Sequence, residues 1–325
     1  MTLSAESLNR LSAESGFRVE FLEKVDRLVA LLQALFRDPY LESRLALKGG
    51  TALNLFHFNL PRLSVDIDLN YIGALDRNTM LAERPQIEQR IQAIAARQNL
   101  ALARAPTSHA GSKWSFRYTS ALGGGGTLEV DLNFLYRTPL WPIECRDSHP
   151  LGPIVSKNIP ILDIHELAGG KLAALLSRTA ARDLFDAHAL MTSTPMDPAR
   201  LRLAFILYGA MNPKDWRTIK TNDITPDTQE ASRQLFPLLV QKLVTRKAEQ
   251  REILTRLTNE TRTALEKLLP LHDNERAFLD QLLDKGKIQP SLLNMEPAQA
   301  TMLTQHPALL WRANQATPEN NGASP

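Results

Sequence analysis

Apolar side chains recur along the first half of the chain with two different periods. Spacings of three and four residues from Val19 to Phe36, and again over Arg84–Asn99, predict two helices that each bury one face. Alternation of apolar with polar residues over Leu100–Arg104, Lys113–Thr119 and Thr127–Tyr136 predicts three strands. The first half is therefore expected to combine a small sheet with helices that pack on it.

In the second half, the helical period dominates. Residues from 198 to about 283 carry apolar stripes at helical spacing, and a Pro-bearing connection over residues 138–160 precedes them. We therefore expect an α+β protein, with an N-terminal domain that holds a small mixed sheet flanked by helices and a mainly helical C-terminal domain. The predicted domains are 1–160 and 161–313, followed by a disordered polar tail at 314–325. Shorter helices are predicted at Ala5–Ser15, Leu41–Ala46, Thr51–Phe58, Glu166–Arg178 and Asp183–Met191.

A further predicted strand carries two aspartates on one face. Apolar residues alternate there with Ser64, Asp66 and Asp68, so the apolar side chains face a core and the carboxylates face the other way. In the strand predicted over Thr127–Tyr136, Asp131 occupies the same kind of position. Adjacent carboxylates repel each other unless a cation lies between them, and such oxygen ligands suit Mg²⁺ or Mn²⁺. The sequence predicts a metal site of Asp66, Asp68 and Asp131; the alternatives are surface aspartates at a strand end and, for Asp131, an ordinary edge strand.

A glycine turn precedes the aspartates in the chain. Gly49 and Gly50 allow a tight turn whose backbone can approach an anion, and Thr51 adds a hydroxyl where a helix is expected to begin. Lys48 stands directly before the glycines, where it could bind phosphate or remain solvated. This stretch is typical of a phosphate-binding turn.

The two motifs together occur in LALKGGTALNLFHFNLPRLSVDIDLNYIG, which resembles the signature of the AbiEii/AbiGii-type nucleotidyltransferase-like toxins. That family is a branch of the DNA polymerase β nucleotidyltransferase superfamily. The resemblance implies that the Gly-Gly turn holds the triphosphate of an NTP and that the Asp-x-Asp pair binds two metal ions. Ser64 matches the family's pattern and shares a strand face with Asp66, so we expect its hydroxyl to contact phosphate or metal-bound water and a phosphate group on it to block the site. The alternative is that Ser64 only hydrogen-bonds the neighbouring loop.

A second motif further along the chain also matches this family. It comprises Glu166, Lys171 and the run from Arg182 to Asp186, and the resemblance implies that the helical lysine contacts the triphosphate. The alternative is an internal ion pair of Lys171 with Glu166 or Asp186, because a cation among apolar neighbours needs an anionic partner. Asp183 and Asp186 share a helix face, where they would complete the site or hold Arg182 in place.

Composition narrows the cellular setting. The 325 residues include 43% hydrophobic and 22% charged residues, with a formal net charge of +3, so any nucleic-acid contact must come from a local patch. A single cysteine excludes an internal disulfide and a cysteine-based zinc site. Because no long apolar run is present, the sequence predicts a cytoplasmic protein that does not contact a membrane.

The function expected from these residues and the resemblance is that of a metal-dependent nucleotidyltransferase. The resemblance implies a toxin of a bacterial toxin–antitoxin or abortive-infection system that serves in phage defence and has a cognate antitoxin protein as its partner. An RNA acceptor such as a tRNA 3′ end is the preferred expectation. The alternatives are an enzyme that modifies a small molecule or a protein, and an NTP-binding module without turnover.

Overall fold

The computed structural model describes residues 2–106, 111–241 and 246–316. The chain forms two compact units, and neither unit is continuous in sequence. The first comprises Met1–Arg137, Pro142–Leu162 and Phe236–Thr245, and the second comprises Thr138–Trp141, Asp163–Leu235 and Arg246–Pro325.

The first unit contains five α-helices and seven strands among its described residues. The helices are α1 (Ala5–Ser15), α2 (Val19–Phe36), α3 (Pro39–Glu42), α4 (Gly49–Thr51), which continues as a π-helical turn over Ala52–His57, and α5 (Arg77–Arg97). The strands are β1 (Leu45–Lys48), β2 (Asp66–Tyr71), β3 (Ala101–Arg104), β4 (Gly111–Thr119), β5 (Gly125–Asn133), β6 (Glu144–Arg146) and β7 (Ile159–Ile161).

All seven strands join one mixed sheet in the order β3-β4-β5-β2-β1-β7-β6. Strands β2 and β5 are parallel, as are β1 and β7, and the other pairs are antiparallel. The aromatic residues Trp114, Phe116 and Tyr118 of β4 are buried, so they belong to the core of the sheet. A mixed sheet with helices confirms the predicted α+β class.

Several predicted elements differ from those observed. The short helix expected over Leu41–Ala46 is wrong in its second half, because Leu45–Lys48 pairs with β2 as a strand. The helix expected over Arg84–Asn99 begins at Arg77, where the Asp76 carboxylate caps it by accepting from the Thr79 N–H. The strand expected over Thr127–Tyr136 begins earlier, at Gly125, and ends earlier, at Asn133. Of the expected disordered tail, residues 314–316 end a helix and 317–325 lie outside the described residues.

The second unit is helical in the parts that the structure describes. Its helices are α6 (Ile164–Arg178), α7 (Ala181–Ser193), α8 (Pro198–Ala210), α9 (Thr228–Gln234), α10 (Lys247–Leu265), α11 (Asp273–Lys285), α12 (Pro297–Thr304) and α13 (Pro307–Ala316).

Helix α6 is fixed at its start and in its middle. The Asp163 carboxylate caps it by accepting from the His165 N–H at 2.8 Å. Gly169 then lets α8 approach closely, because a Cβ at this position would lie 2.8 Å from the Ala204 carbonyl oxygen. The position of Lys171 on α6 is therefore determined by close helix packing.

None of the helices in the described parts of the chain is long and apolar enough to cross a membrane.

Candidate active site

The parallel pairing of β2 with β5 brings the predicted aspartates together. Asp66 is opposite Glu129, and Asp68 is opposite Asp131. The intervening residues of both strands are fully buried, which fixes the alternation and turns the acidic side chains to the other face. These buried residues are Ile67, Leu69, Val130 and Leu132. The structure therefore places Asp131 directly beside Asp68, as the sequence pattern predicted.

The Gly49–Gly50 turn closes one side of the cluster formed by Asp66, Asp68 and Asp131. Lys48 pairs with Asp68 across β1 and β2, so the turn begins beside that aspartate. Gly49 has φ of +72°, and a Cβ at this position would collide with Asp68 Oδ2. Only glycine satisfies both the backbone conformation and the close approach. The turn is thus a cradle built against Asp68.

The hydroxyls of Thr51 and Ser64 connect the glycine turn to the aspartate strand. Both residues are buried, and their oxygens are hydrogen-bonded at 3.0 Å. Thr51 also donates to the carbonyl oxygen of Asp66, at the first residue of β2. The two hydroxyls therefore attach the glycine turn to the aspartate strand. Ser64 is buried in this arrangement, and its predicted contact with phosphate and the predicted effect of phosphorylation stay predictions.

Two lysines beside the aspartate cluster were not identified as site residues from the sequence. Lys24 of α2 lies with Nζ 3.9 Å from Asp66 Oδ1. Lys113 is opposite Asp131 in the β4–β5 pair, and its Nζ lies 2.9 Å from Glu129 Oε2. Both lysines occur in regular amphipathic patterns, where a charged residue usually marks only a solvated face. Their role depends on sheet register and helix placement, which no local pattern encodes.

The environment of Asp131 disfavours its charged form. Burial raises the pKa of this carboxyl group, the nearby Asp68 and Glu129 raise it further, and Lys48 and Lys113 act in the opposite direction. A cation beside Asp131 would offset both the burial and the repulsion from the other acids. The site therefore favours binding of a positive ion.

The donor groups fit a divalent metal such as Mg²⁺ or Mn²⁺. Three carboxylates on adjacent strands supply hard oxygen ligands, and the absence of a side chain at Gly49 lets the Asp68 carboxylate lie directly against the glycine turn. Within the described residues, no three His, Cys, Asp or Glu side chains already converge on one point. The Asp66 side chain is about one-third exposed, so an ion from solvent can reach its carboxylate.

In the second unit, Lys171 forms a buried ion-pair cluster. Its Nζ lies 2.9 Å from Asp183 Oδ1 and 3.0 Å from Asp186 Oδ2, and Arg178 Nε lies 2.6 Å from Asp183 Oδ2. Burial raises the pKa of Asp183, but Lys171 and Arg178 outweigh this effect and lower the pKa to about 2. The internal pair with Asp186 is therefore present, and Asp183 joins it.

Glu166 does not belong to that cluster. Its carboxylate accepts from the backbone N–H groups of Leu140 and Trp141 at 2.9 and 3.3 Å and from the Tyr208 hydroxyl at 3.1 Å. Burial raises the pKa of Glu166 to about 7, although these hydrogen bonds lower it. This residue holds the short segment Thr138–Trp141 in the second unit.

A mixed sheet with a Gly-Gly turn against an aspartate pair defines the chain as a nucleotidyltransferase-type protein. More specifically, it belongs to the family of nucleotidyl transferase AbiEii toxins of type IV toxin–antitoxin systems, whose family model matches residues 30–296. This confirms the resemblance seen in the sequence. Membership in the family implies an NTP substrate and an antitoxin partner.

A solved structure shows the same fold. MenT4, a nucleotidyltransferase toxin from Mycobacterium tuberculosis, is 18% identical, with a TM-score of 0.57 over 85% of this chain and 93% of that chain. At this identity, the likeness concerns the fold alone. A comparison with curated proteins gives no match.

Proposed function

We propose that this chain transfers a nucleoside monophosphate from an NTP to an acceptor at the site formed by Asp66, Asp68 and Asp131. The observation that carries the proposal is the register that pairs Asp68 with Asp131 at the place closed by Gly49. Oxygen-rich sites of this kind hold Mg²⁺ or Mn²⁺, and the three aspartates are the residues that would bind the ion.

The chain's own groups suit this reaction. The acceptor oxygen bonds to the α-phosphorus while the bond to the β-phosphate breaks and pyrophosphate leaves. The Gly49–Gly50 backbone and Lys48 would hold the triphosphate, and the Asp131 carboxylate would accept the proton of the attacking hydroxyl. When bound, a divalent ion would neutralise charge on the phosphates.

We further propose that the acceptor is RNA, with a tRNA 3′ end as the preferred substrate, and that growth arrest by this transfer is opposed by a cognate antitoxin. Family membership supports the toxin role, and the RNA acceptor rests on the sequence resemblance. The predicted contact of Lys171 with the triphosphate stays a prediction, as do the nucleotide-binding role of Asp183 and the catalytic role of Asp186.

The test is transfer from each of four labelled NTPs to total RNA in the presence of Mg²⁺ or Mn²⁺. We expect labelled RNA with the wild type and at least about a 100-fold loss with Asp66→Asn and Asp68→Asn, since each removes a proposed metal ligand. Asp147→Asn is the matched control, because Asp147 pairs with Lys157 on the surface of the same unit. Equal transfer by all three variants would contradict the assigned site, and label in protein or small molecules alone would contradict the RNA acceptor.

A further inference from the structure

Among the described ion pairs, Lys24 is the one residue of helix α2 that contacts the cluster formed by Asp66, Asp68 and Asp131. Its Nζ lies 3.9 Å from Asp66 Oδ1, and its side chain is only 20% exposed. This distance is too long for a hydrogen bond between ammonium and carboxylate, which usually spans about 2.7–2.9 Å. The contact is therefore an ion pair held by charge, without a hydrogen bond that would fix the ammonium to Asp66.

The helix that carries Lys24 is anchored to the strands of the site. The adjacent Glu23 is buried and accepts from the Ser120 hydroxyl and the Ala121 N–H at 2.6 and 2.8 Å. Arg27, one turn further on, donates to the Thr119 carbonyl at 2.7 Å. These contacts bind α2 to the turn that leads into β5, the strand of Asp131. Lys24 is therefore held near the aspartates from the helix side.

Three lysines from three separate elements meet the three aspartates. Lys24 comes from α2, Lys48 from β1 and Lys113 from β4. Lys113 Nζ lies 2.9 Å from Glu129 Oε2, so the charge of this lysine is compensated by a neighbouring residue of the sheet. A divalent ion at Asp66 would repel the nearby ammonium of Lys24, and the anion then available in the same site is the triphosphate.

We propose that Lys24 is a triphosphate ligand whose ammonium leaves Asp66 and contacts the phosphates of the bound NTP. The proposal rests on the proposed function, because it assigns a further contact in the same site. Pairing with Asp66 is then the arrangement of the substrate-free protein, and the exchange of partners keeps the charge of Lys24 compensated in both states.

The test uses magnesium tripolyphosphate, which presents the chemistry common to all NTPs, and isothermal titration of the full chain. We expect Lys24→Met to weaken binding at least about tenfold, the usual effect of losing a charged hydrogen bond. Lys24→Arg should retain most of the affinity. Lys157→Met is the matched control, since it removes the same charge from an exposed pair with Asp147 in the same unit. Circular dichroism melts verify that each variant is folded.

Binding of Mn²⁺ alone, followed by electron paramagnetic resonance, separates phosphate contact from positioning of Asp66. If Lys24 contacts phosphate, Lys24→Met binds Mn²⁺ at least as well as the wild type, because a competing cation has been removed. A parallel loss of Mn²⁺ and tripolyphosphate affinity would overturn the proposal, as would wild-type tripolyphosphate affinity in Lys24→Met. A wild type that binds neither tripolyphosphate nor any NTP would instead refute the proposed function.

Discussion

Replacement of Lys171 by methionine is expected to destabilise the second unit by about 3 kcal/mol or more, because it leaves acidic groups buried without their cation. Asp183 and Asp186 are 2% and 0% exposed, and Lys171 contacts both. Methionine has a similar volume and leaves the packing nearly intact, so the loss measures charge compensation. Arg178 still contacts Asp183, but its side chain is 67% exposed and compensates less.

The lowered pKa of Asp183 supports the expected destabilisation of about 3 kcal/mol by Lys171→Met. The fall from 3.8 to about 2 corresponds to about 2 kcal/mol for this one carboxyl group, to which the contact with Asp186 adds. Because the folded-state pKa lies below the unfolded value, the stabilisation is present above about pH 4 and is lost as the pH falls toward 2. The difference between wild type and Lys171→Met should therefore shrink between about pH 4 and pH 2.

Urea unfolding followed by circular dichroism measures the loss, and hydrogen exchange in α6 and α7 locates it in the second unit. Lys214→Met is the control, since Lys214 pairs with Asp223 in the same unit but is about one-third exposed, and we expect a cost of about 1 kcal/mol or less. If Lys171→Met is as stable as wild type while its NTP affinity falls, the structural reasoning is refuted and a role in substrate binding is favoured.

Three further changes probe the turn and the second unit. Gly49→Ala should lower the free energy of unfolding by about 1–3 kcal/mol and reduce transfer, because the added Cβ displaces Asp68. Gly123 also has positive φ but lies in open space, so Gly123→Ala should lower the free energy of unfolding by about 1 kcal/mol and leave transfer unchanged. Urea melts and transfer assays compare the two variants. Thr51→Val should cost about 1–3 kcal/mol in the same melts, with Thr51→Ser close to wild type. Since the folded-state pKa of Glu166 is raised to about 7, its contribution is full below about pH 4.5 and is lost as the pH rises through 7, so Glu166→Gln should flatten the fall in stability across that range.

The sequence predicted those parts of the molecule that depend on local pattern. The helix Val19–Phe36 and the aspartate strand were predicted because their periods are regular over enough residues to define a buried face. The position of Asp131 also followed from alternation, since pairing of two such strands brings their polar faces together. In these places, one periodic signal determined both the element and its orientation.

The remaining features depend on contacts between distant parts of the chain. The four residues Leu45–Lys48 favour a helix by composition, and only their pairing with β2 makes them a strand. Glu23 and Arg27 look like solvent-facing charges in an amphipathic helix, but both are buried. Each forms hydrogen bonds with residues more than 90 positions away in the sequence, which a local pattern does not reveal. Lys24 could not be assigned to the site from the sequence for the same reason.

The discontinuous first unit affects how the protein can be made. The N–H of Leu63, just before the aspartate strand, donates to the carbonyl of Leu238, and the N–H of Gln241 donates to the carbonyl of Gly16. A nascent chain that ends at residue 162 has every strand of the sheet but lacks these contacts. At roughly 5–20 residues per second, ribosomal synthesis reaches Leu238 about 9–35 s after the aspartates have been added to the chain. A recombinant fragment meant to isolate this unit must likewise include residues 236–241.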